Sequence, residues 1–338
     1  MFIHRGKPAL VLAPMDGVTD ALMRRLLTRR MPFSYCVTEF IRVSGLVPPD
    51  KTFLLDVPEL RHGSRTESGA GVQVQLLGGD PERLAESAVR AVRLGATGID
   101  LNFGCPAPTV NKHDGGATLL KFPDRVERIV ATVRAAVPSD IPVSAKLRLG
   151  WDDPRAIHGN AERAARSGAS WITIHGRTKM QGYTPPAYWE PIGEVRRNLD
   201  IPVVANGELW CVEDLRRCQD QSGCEHFMVG RGALAEPGLV KELATTLGIK
   251  VCDEHVLRCG GNAALWRPLL VEMVELSRSA GENERRTISR VKQWLNYARH
   301  KGAVRFFDSL KRLENLDAIL VHIDELASAS PDQERRAA

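Results

Sequence analysis

The residue in this sequence best placed to do chemistry is Cys105, in the stretch Gly98-Ile-Asp-Leu-Asn-Phe-Gly-Cys105-Pro-Ala-Pro. A short apolar run, Ile99 to Phe103, reads as a buried strand, and Pro106 and Pro108 forbid its continuation because proline has no N–H to donate to a sheet. A thiol therefore stands at the tip of a strand, where functional residues collect. Such a thiol either meets a ligand or acts as a small apolar filler. Its loop runs through Asn111, Lys112, His113 and Asp114 to Gly115-Gly116, and a helix is expected from Ala117 to Ala136. Other polar residues sit at the ends of apolar runs: Asp16 after Ala13-Pro14-Met15, then Gln73 and Gln75, Asn102, Lys146 and Arg148, His175 and Arg177, Asn206-Gly207-Glu208, and Gly230-Arg231-Gly232. Polar groups inside apolar strands are costly unless something pairs with them. One would be a satisfied core group; this many at one rim argues for a large polar ligand.

The elements that must carry these groups alternate for about 240 residues. Strands are expected at Leu10 to Met15, Tyr35 to Ile41, Val72 to Leu77, Ile99 to Phe103, Val143 to Leu149, Trp171 to His175, Val203 to Asn206 and Phe227 to Val229. Each is short and aliphatic, as in strands covered on both faces. Helices are expected between them, among them Pro81 to Leu94, Gly159 to Ser167 and Val212 to Gln219, the first with Asp80 as N-cap and Pro81 at the first helical position. Eight strands with intervening helices predict an α/β fold, a (β/α)8 TIM barrel, whose site lies at the C-terminal ends of the strands. A doubly wound sheet competes, but no Gly-x-Gly-x-x-Gly follows the first strand. After Pro237 helical periodicity takes over, in Trp266 to Ala280, Thr287 to Lys301 and Ala303 to Leu326, with Gly281 and Gly302 in the turns. The expected division is a barrel over residues 1–242, a small all-α helical bundle over 243–327, and a frayed tail over 328–338.

The 338 residues suit about two domains, and 43% hydrophobic residues support a large core. No apolar run reaches the ~18 residues of a membrane span, and the first residues lack a signal peptide's apolar region. Seven cysteines, at 36, 105, 211, 218, 224, 252 and 259, include no Cys-x-x-Cys pair. This disfavours zinc or a disulfide scaffold and suits a reducing cytoplasm. The net charge of +5 is uneven: from Arg258 to Arg312 twelve Lys and Arg face five Asp and Glu, leaving −2 elsewhere. A basic C-terminal third suggests a polyanionic partner, or only a solvated helical face.

Glycines 207, 230 and 232, after the last two strands, would let backbone N–H groups approach a phosphate, although Asn-Gly and Gly-Arg-Gly are also common turns. Lys146, if turned inward, suits negative charge on a flat heterocycle, and Gln75 suits a heteroaromatic edge. His175 either bridges a ligand or is a core histidine.

Together Ala-Pro-Met-Asp-Gly-Val-Thr-Asp (13–20), Leu-Asn-Phe-Gly-Cys-Pro (101–106), Gly-Gly-Ala (115–117), Lys-Leu-Arg-Leu-Gly-Trp (146–151), His-Gly-Arg-Thr (175–178), Asn-Gly-Glu (206–208) and Gly-Arg-Gly-Ala (230–233) resemble the bacterial tRNA-dihydrouridine synthases. The resemblance is ordered and spans nearly the whole chain. The Asn-Phe-Gly-Cys-Pro, Asn-Gly-Glu-Leu-Trp and Arg-Val-Lys-Gln-Trp (290–294) forms are most similar to the C subfamily, which acts on uridine 16 of the D-loop. The resemblance implies an FMN enzyme that reduces the C5–C6 double bond of uridine in tRNA with NADPH. It implies that Ala13, Pro14 and Met15 line the isoalloxazine, that Gln75 and Lys146 bind its pyrimidine edge, and that His175 lies against the cofactor. It gives Asn206, Gly207, Glu208, Gly230 and Arg231 the ribityl phosphate. Cys105 would protonate C5, as a thiol of pKa about 8.5 can near neutral pH, and Asn102 would meet substrate or flavin. It places RNA contacts at Arg42, Tyr183, Arg290, Lys292 and Lys311; Arg290 and Lys292 do not fully share a helical face. Lys112 and His113 have no assigned role, and His113 competes with Cys105 as the acid. No metal is expected, and a monomer is.

Three other readings compete. A flavin barrel acting on a free pyrimidine explains the rim but leaves the basic helices idle. A non-catalytic RNA-binding or chaperone protein explains the charge but not Cys105, Lys146 and His175 together. A zinc protein conflicts with the cysteine spacing.

Overall fold

A computed structural model describes residues 2–251, 263–299, 304 and 306–328. Gly302, Cys252, Cys259 and the tail beyond Ser328 lie outside the described residues. The strands are β1 (Ala9–Leu12), β2 (Tyr35–Val37), β3 (Ile41–Arg42), β4 (Gly71–Leu77), β5 (Ile99–Asn102), β6 (Val143–Arg148), β7 (Ile172–His175), β8 (Val203–Asn206) and β9 (His226–Val229). All pairings between them are parallel, and β2 bonds to both β1 and β4, closing an eight-strand ring of a (β/α)8 barrel. β3 extends the second strand's line along β4. The single expected strand Tyr35 to Ile41 is thus broken in two. Val37 pairs with Gln73 and Ile41 with Leu76, so four steps on one side meet three on the other. That is a bulge, and bulges re-aim strands near sites.

Period-two alternation divides each strand. Residues such as Leu10, Leu12, Val74, Leu101, Ala145, Leu147 and Ile174 join the large core between strands and helices. Their neighbours face the barrel interior, which has two halves. Val11, Val37, Val204 and Met228 fill one half, closed at the N-terminal end by Phe2, Tyr35 and Trp171, whose ring centroids lie 4.9–6.2 Å apart. The other half is polar and buried: Gln73, Gln75, Asp100, Ser144, Thr173 and His175.

Two expected helices are divided. The stretch 117–136 is a 3-10 turn, Gly116–Lys121, followed by the helix Pro123–Ala136. Pro123 lacks an N–H and holds Phe122 extended at φ −133°, so one helix cannot run through. In place of Ala303 to Leu326 the described residues form Phe307–Leu310 and Leu316–Ser328; Asn315 Oδ1 accepts from Ala318 N (2.9 Å) and restarts the helix. The helix Leu239–Thr246 runs across residue 242, so the barrel's outer layer continues past the expected boundary. No helix among the described residues is long and apolar enough to cross a membrane.

The C-terminal helices dock on the barrel beside the loop after β1. The indole of Trp294 packs against Trp266 (5.5 Å between centroids) and donates to Leu234 O (2.9 Å). Gln293 Nε2 donates to Gly17 O (3.1 Å). Arg290 lies between Asp20 (2.6 Å) and Glu282 (2.9 Å), and its side chain is only 10% exposed. Arg290 was expected to read RNA; here its charge is consumed in joining the helix Glu284–Arg299 to the barrel, because Asp20 and Glu282 converge on it. Replacing it leaves Asp20 and Glu282 with the longer ion pairs to Arg286, at 3.8 and 3.4 Å. Arg290→Met should lower stability by about 1.5–3 kcal/mol in urea unfolding, the scale of charged hydrogen bonds; an unchanged midpoint would show that this clamp contributes nothing.

Candidate active site

At the C-terminal end of the strands is a cavity of about 610 Å³. Every barrel strand contributes a residue or the loop after it, seven of them through Ala13, Pro14 and Met15, Gln75, Asn102 and Cys105, Lys146 and Arg148, His175, Asn206 and Gly207, and Gly230 and Arg231. Phe40, in the bulge between β2 and β3, supplies the second strand's share.

Cys105 is held from several sides. Asn102 Oδ1 accepts from the N–H groups of Gly104 and Cys105, each at 2.9 Å. On the other side, Cys105 O accepts from Ala117 N (3.1 Å) and from Asn111 Nδ2 (3.2 Å). Asn111 also donates to Ala107 O and accepts from Thr118, so one amide spans the whole loop. Gly116 adopts φ +59°, and a Cβ there would meet Cys105 O at 2.8 Å. The chain can therefore pass this close only with glycine. Burial raises the Cys105 thiol above its ordinary range, and Asp16 adds to the shift against the Ala107 N–H, Arg148 and Arg42. The thiol keeps its proton at neutral pH.

The cationic side of the cavity is dense. Lys146 Nζ donates to Asn206 Oδ1 (3.1 Å), whose amide in turn donates to Met228 O (2.8 Å). Arg148 donates to the carbonyls of Gly104 (2.8 Å), Thr178 (3.1 Å) and Gly182 (2.9 Å). Arg177, fully buried, pairs with Glu208 at 2.6 Å, and Arg231 reaches the same carboxylate at 3.2 Å. Arg231 also lies over the rings of Tyr183 (4.8 Å) and Trp210 (5.3 Å). Burial lowers the Lys146 ammonium, Arg148 adds to the shift, and Asp100 opposes it. His175 is held well below its ordinary range, first by burial and then by Arg148, Lys146, Arg177 and Arg231. It is neutral, and its buried Nδ1 has no hydrogen-bond partner. Buried polar atoms are rarely left so.

Gly207, at φ +118°, and Gly230 form the opposite wall; a Cβ on Gly230 would meet Met15 Sδ at 3.3 Å and Ala13 Cβ at 3.4 Å. An unpaired imidazole nitrogen, surplus positive charge and glycine-lined backbone make this a site for a large anionic ligand with a polar ring system.

A dihydrouridine synthase family model matches residues 11–319. The chain belongs to the dihydrouridine synthase family. It is 43% identical over 290 residues to the tRNA-dihydrouridine(16) synthase of Shewanella oneidensis, covering 85% of this chain and 88% of that protein. It is 42% identical over 324 residues to the protein of the same name from Aquipseudomonas alcaligenes, covering 95% and 99%. A third of that name, from Haemophilus influenzae, is 41% identical over 323 residues, covering 94% and 99%.

In this dihydrouridine synthase, Cys105, Asn102, Tyr183 and all eleven residues expected at the cofactor line one cavity. Four expected RNA contacts lie outside it. Arg42 is exposed and donates to Thr109 O (3.3 Å) in the loop after Cys105. Lys311 is exposed beside Asp308 (2.6 Å), and Lys292 is half-buried on its helix. Arg290 joins the helix Glu284–Arg299 to Asp20 of the barrel. Lys112 and His113 are exposed, and His113 lines a separate cavity with Asp114 and Arg125, so it does not face the reaction with Cys105. Sequence reasoning missed Tyr297, which reaches the cavity from the C-terminal helices, and the roles of Phe40, Trp210 and Asn111. Helical spacing from Arg290 and Trp294 was the one signal that could have found Tyr297.

Glu208 is the hinge of this charge pattern. Glu208→Gln leaves Arg177 buried without its counter-charge, which should cost about 3–5 kcal/mol. Chemical denaturation measures it, and a loss below about 1 kcal/mol would mean that backbone carbonyls already satisfy Arg177.

Proposed function

We propose that this family member binds FMN in the 610 Å³ cavity and uses NADPH to reduce the C5–C6 bond of uridine 16 in the D-loop of tRNA. The observation that carries the reading is the protonated Cys105 thiol, anchored by its own backbone at the mouth of a cavity rich in positive charge. The residues present fit the cofactor. Gln75 and Lys146 would hold the polar edge of the ring system, Ala13, Pro14 and Met15 its apolar side, and the unpaired His175 Nδ1 gains a partner. Gly207, Gly230 and Arg231 would take the phosphate, while Glu208 holds Arg177 and Arg231 in place.

The bound cofactor supplies the hydride that C6 of the uracil receives. The chain does the rest. Lys146 offsets negative charge on the ring edge. Cys105 Sγ–H gives its proton to C5, where charge develops as C6 is reduced. Asn102 and Tyr183 face the base. The uridine must be turned out of its loop to enter, and phosphate contacts from Arg42, Lys292 and Lys311 would supply much of the affinity. The choice of position rests on relatives 41–43% identical that are named for residue 16. The protein acts as a cytoplasmic monomer in this reading.

Two experiments test it. Cys105→Ala should retain FMN and its reduction by NADPH but lose about 10²–10⁴-fold in uridine reduction. In the wild type, the acid is present below its raised pKa and lost as pH rises through it. The limb that belongs to Cys105 should therefore lie above the ordinary thiol value of about 8.5 and vanish in the alanine variant. A fall near pH 8 that persists in that variant belongs to the Lys146 ammonium, lowered by burial to about 8. Full turnover in the alanine variant would remove Cys105 from the proton transfer.

Replacing Lys292 and Lys311 together should weaken tRNA binding and flatten its log–log salt dependence by about 0.7–0.9 for each phosphate no longer neutralised. An unaltered slope in a filter-binding titration would place the RNA face elsewhere.

A further inference from the structure

One buried ionisable group in the barrel has no part in the chemistry above. Asp100 is 2% exposed at the centre of β5, two residues before Asn102. It accepts from the Ser144 hydroxyl and from Gln75 Nε2 (2.7 Å). Gln75 has its Oε1 turned the other way, where it accepts from Asn102 Nδ2 (2.8 Å). That leaves Asn102 Oδ1 for the N–H groups of Gly104 and Cys105. Below Asp100, Gln73 Nε2 donates to Ser144 Oγ (2.9 Å) and to Ile99 O (3.0 Å).

We propose that Asp100 is the positioning residue of this site: it fixes the direction of a hydrogen-bond chain through Gln75 and Asn102 that holds the backbone of Cys105. Donor and acceptor polarity sets that direction. An amide side chain has a donor end and an acceptor end and can turn over. A carboxylate only accepts. With Asp100 at one end, Gln75 must present its NH₂ to it and its oxygen to Asn102. Asn102 must then present its NH₂ to Gln75 and its oxygen to the loop. Two flippable amides are set by one residue that cannot flip. The same constraint fixes which end of Gln75 faces the cavity's ligand and keeps a negative charge beneath Lys146.

Asp100→Asn breaks the direction. The Ser144 O–H needs an acceptor, and its neighbour Gln73 Nε2 is itself a donor, so to keep Ser144 satisfied the new amide offers it oxygen. Its NH₂ then faces Gln75, which turns over and sets its own NH₂ against that of Asn102. Asn102 turns in its turn, and Cys105 N–H meets a donor. Adding Asn102→Asp repairs the far end: a carboxylate there accepts from the turned Gln75 and from Cys105 N–H alike. A residue at 100 that mattered only for packing would not be rescued by a change at 102.

The test is amide exchange in the FMN-loaded protein, read on peptides spanning 103–107, where Pro106 carries no amide. Gly104 and Cys105 should exchange at least about tenfold faster in Asp100→Asn and return to wild-type protection in Asp100→Asn/Asn102→Asp. Uridine reduction should fall in the single variant and recover with amide protection in the double variant. The proposal rests on Cys105 as the acid for its consequence but not for its geometry. Exchange that follows this pattern with uridine reduction undiminished upholds the chain and removes Cys105 from the proton transfer. Unchanged exchange in Asp100→Asn, or no recovery in the double variant, overturns the chain. Should Asp100→Asn alone fail to fold, a folded, flavin-loaded double variant is the expected rescue, and its failure to fold overturns the proposal.

Discussion

Four cationic side chains, Lys146, Arg148, Arg177 and Arg231, act on one neutral imidazole at the mouth of this barrel. Two like charges 4 Å apart repel by about 4 kcal/mol at an effective dielectric of 20, so the protein must dispose of this charge. It does so in three ways. Arg148 spends its donors on three backbone carbonyls. Arg177 and Arg231 share Glu208. Lys146 has Asn206 above and the Asp100 carboxylate near it in the barrel. What remains uncompensated faces the cavity. A site assembled in this way selects an anion carrying a polar ring, and it prevents His175 from becoming a fifth cation. The glycines opposite then matter because they let the ligand's charge come close.

The division of the barrel interior follows from the same constraint. Strands β4 to β7 turn polar groups inward, and β8, β9, β1 and β2 turn mainly apolar ones. A wholly polar interior could not be satisfied without water, and a wholly apolar one could not orient a reactive loop. Polar groups are tolerated on one side because they bond to one another in sequence, from Gln73 through Ser144, Asp100 and Gln75 to Asn102. Networks of this kind rigidify as their members are paired: Gln73 Oε1 is left without a partner at one end, and the other end closes on backbone N–H groups at the cysteine.

Much of the cavity wall was legible because its residues break a rule: lysine, histidine and glutamine at the ends of aliphatic strands are expensive and therefore conspicuous. Asp100 lay inside a run read as apolar, Ile99 to Phe103, and its meaning depends on which way two amides point, which no spacing carries. The bulge at residues 38–40 was hidden because Tyr35 to Ile41 reads as one strand, so only the register against β4 shows the extra residue. The charge count misled for a related reason. A window along the chain is not a patch in space, and Arg290 and Arg286 meet Asp20 of the barrel while Arg278 and Arg267 meet Asp317 and Asp324 beyond the window. The surplus that remains for a polyanion is smaller than the sequence suggested, and it sits on fewer residues.

The helix Glu284–Arg299 meets the barrel and its cavity along one face only. Arg290, Gln293, Trp294 and Tyr297 are spaced i, i+3, i+4 and i+7, and all four meet the barrel or its cavity. They form one helical stripe. At about 100° per residue, Lys292 lies roughly 200° around from Arg290, on the side turned away from the barrel. The different surroundings of two basic residues so close in sequence are thus a consequence of helical pitch. The stripe grips the loop Asp16–Asp20, and that loop continues directly from Ala13, Pro14 and Met15 on the cavity wall. A force applied to the outer face of the helix therefore reaches the ligand wall through a single short run of backbone. This makes the docking of the C-terminal helices a determinant of the cavity's shape.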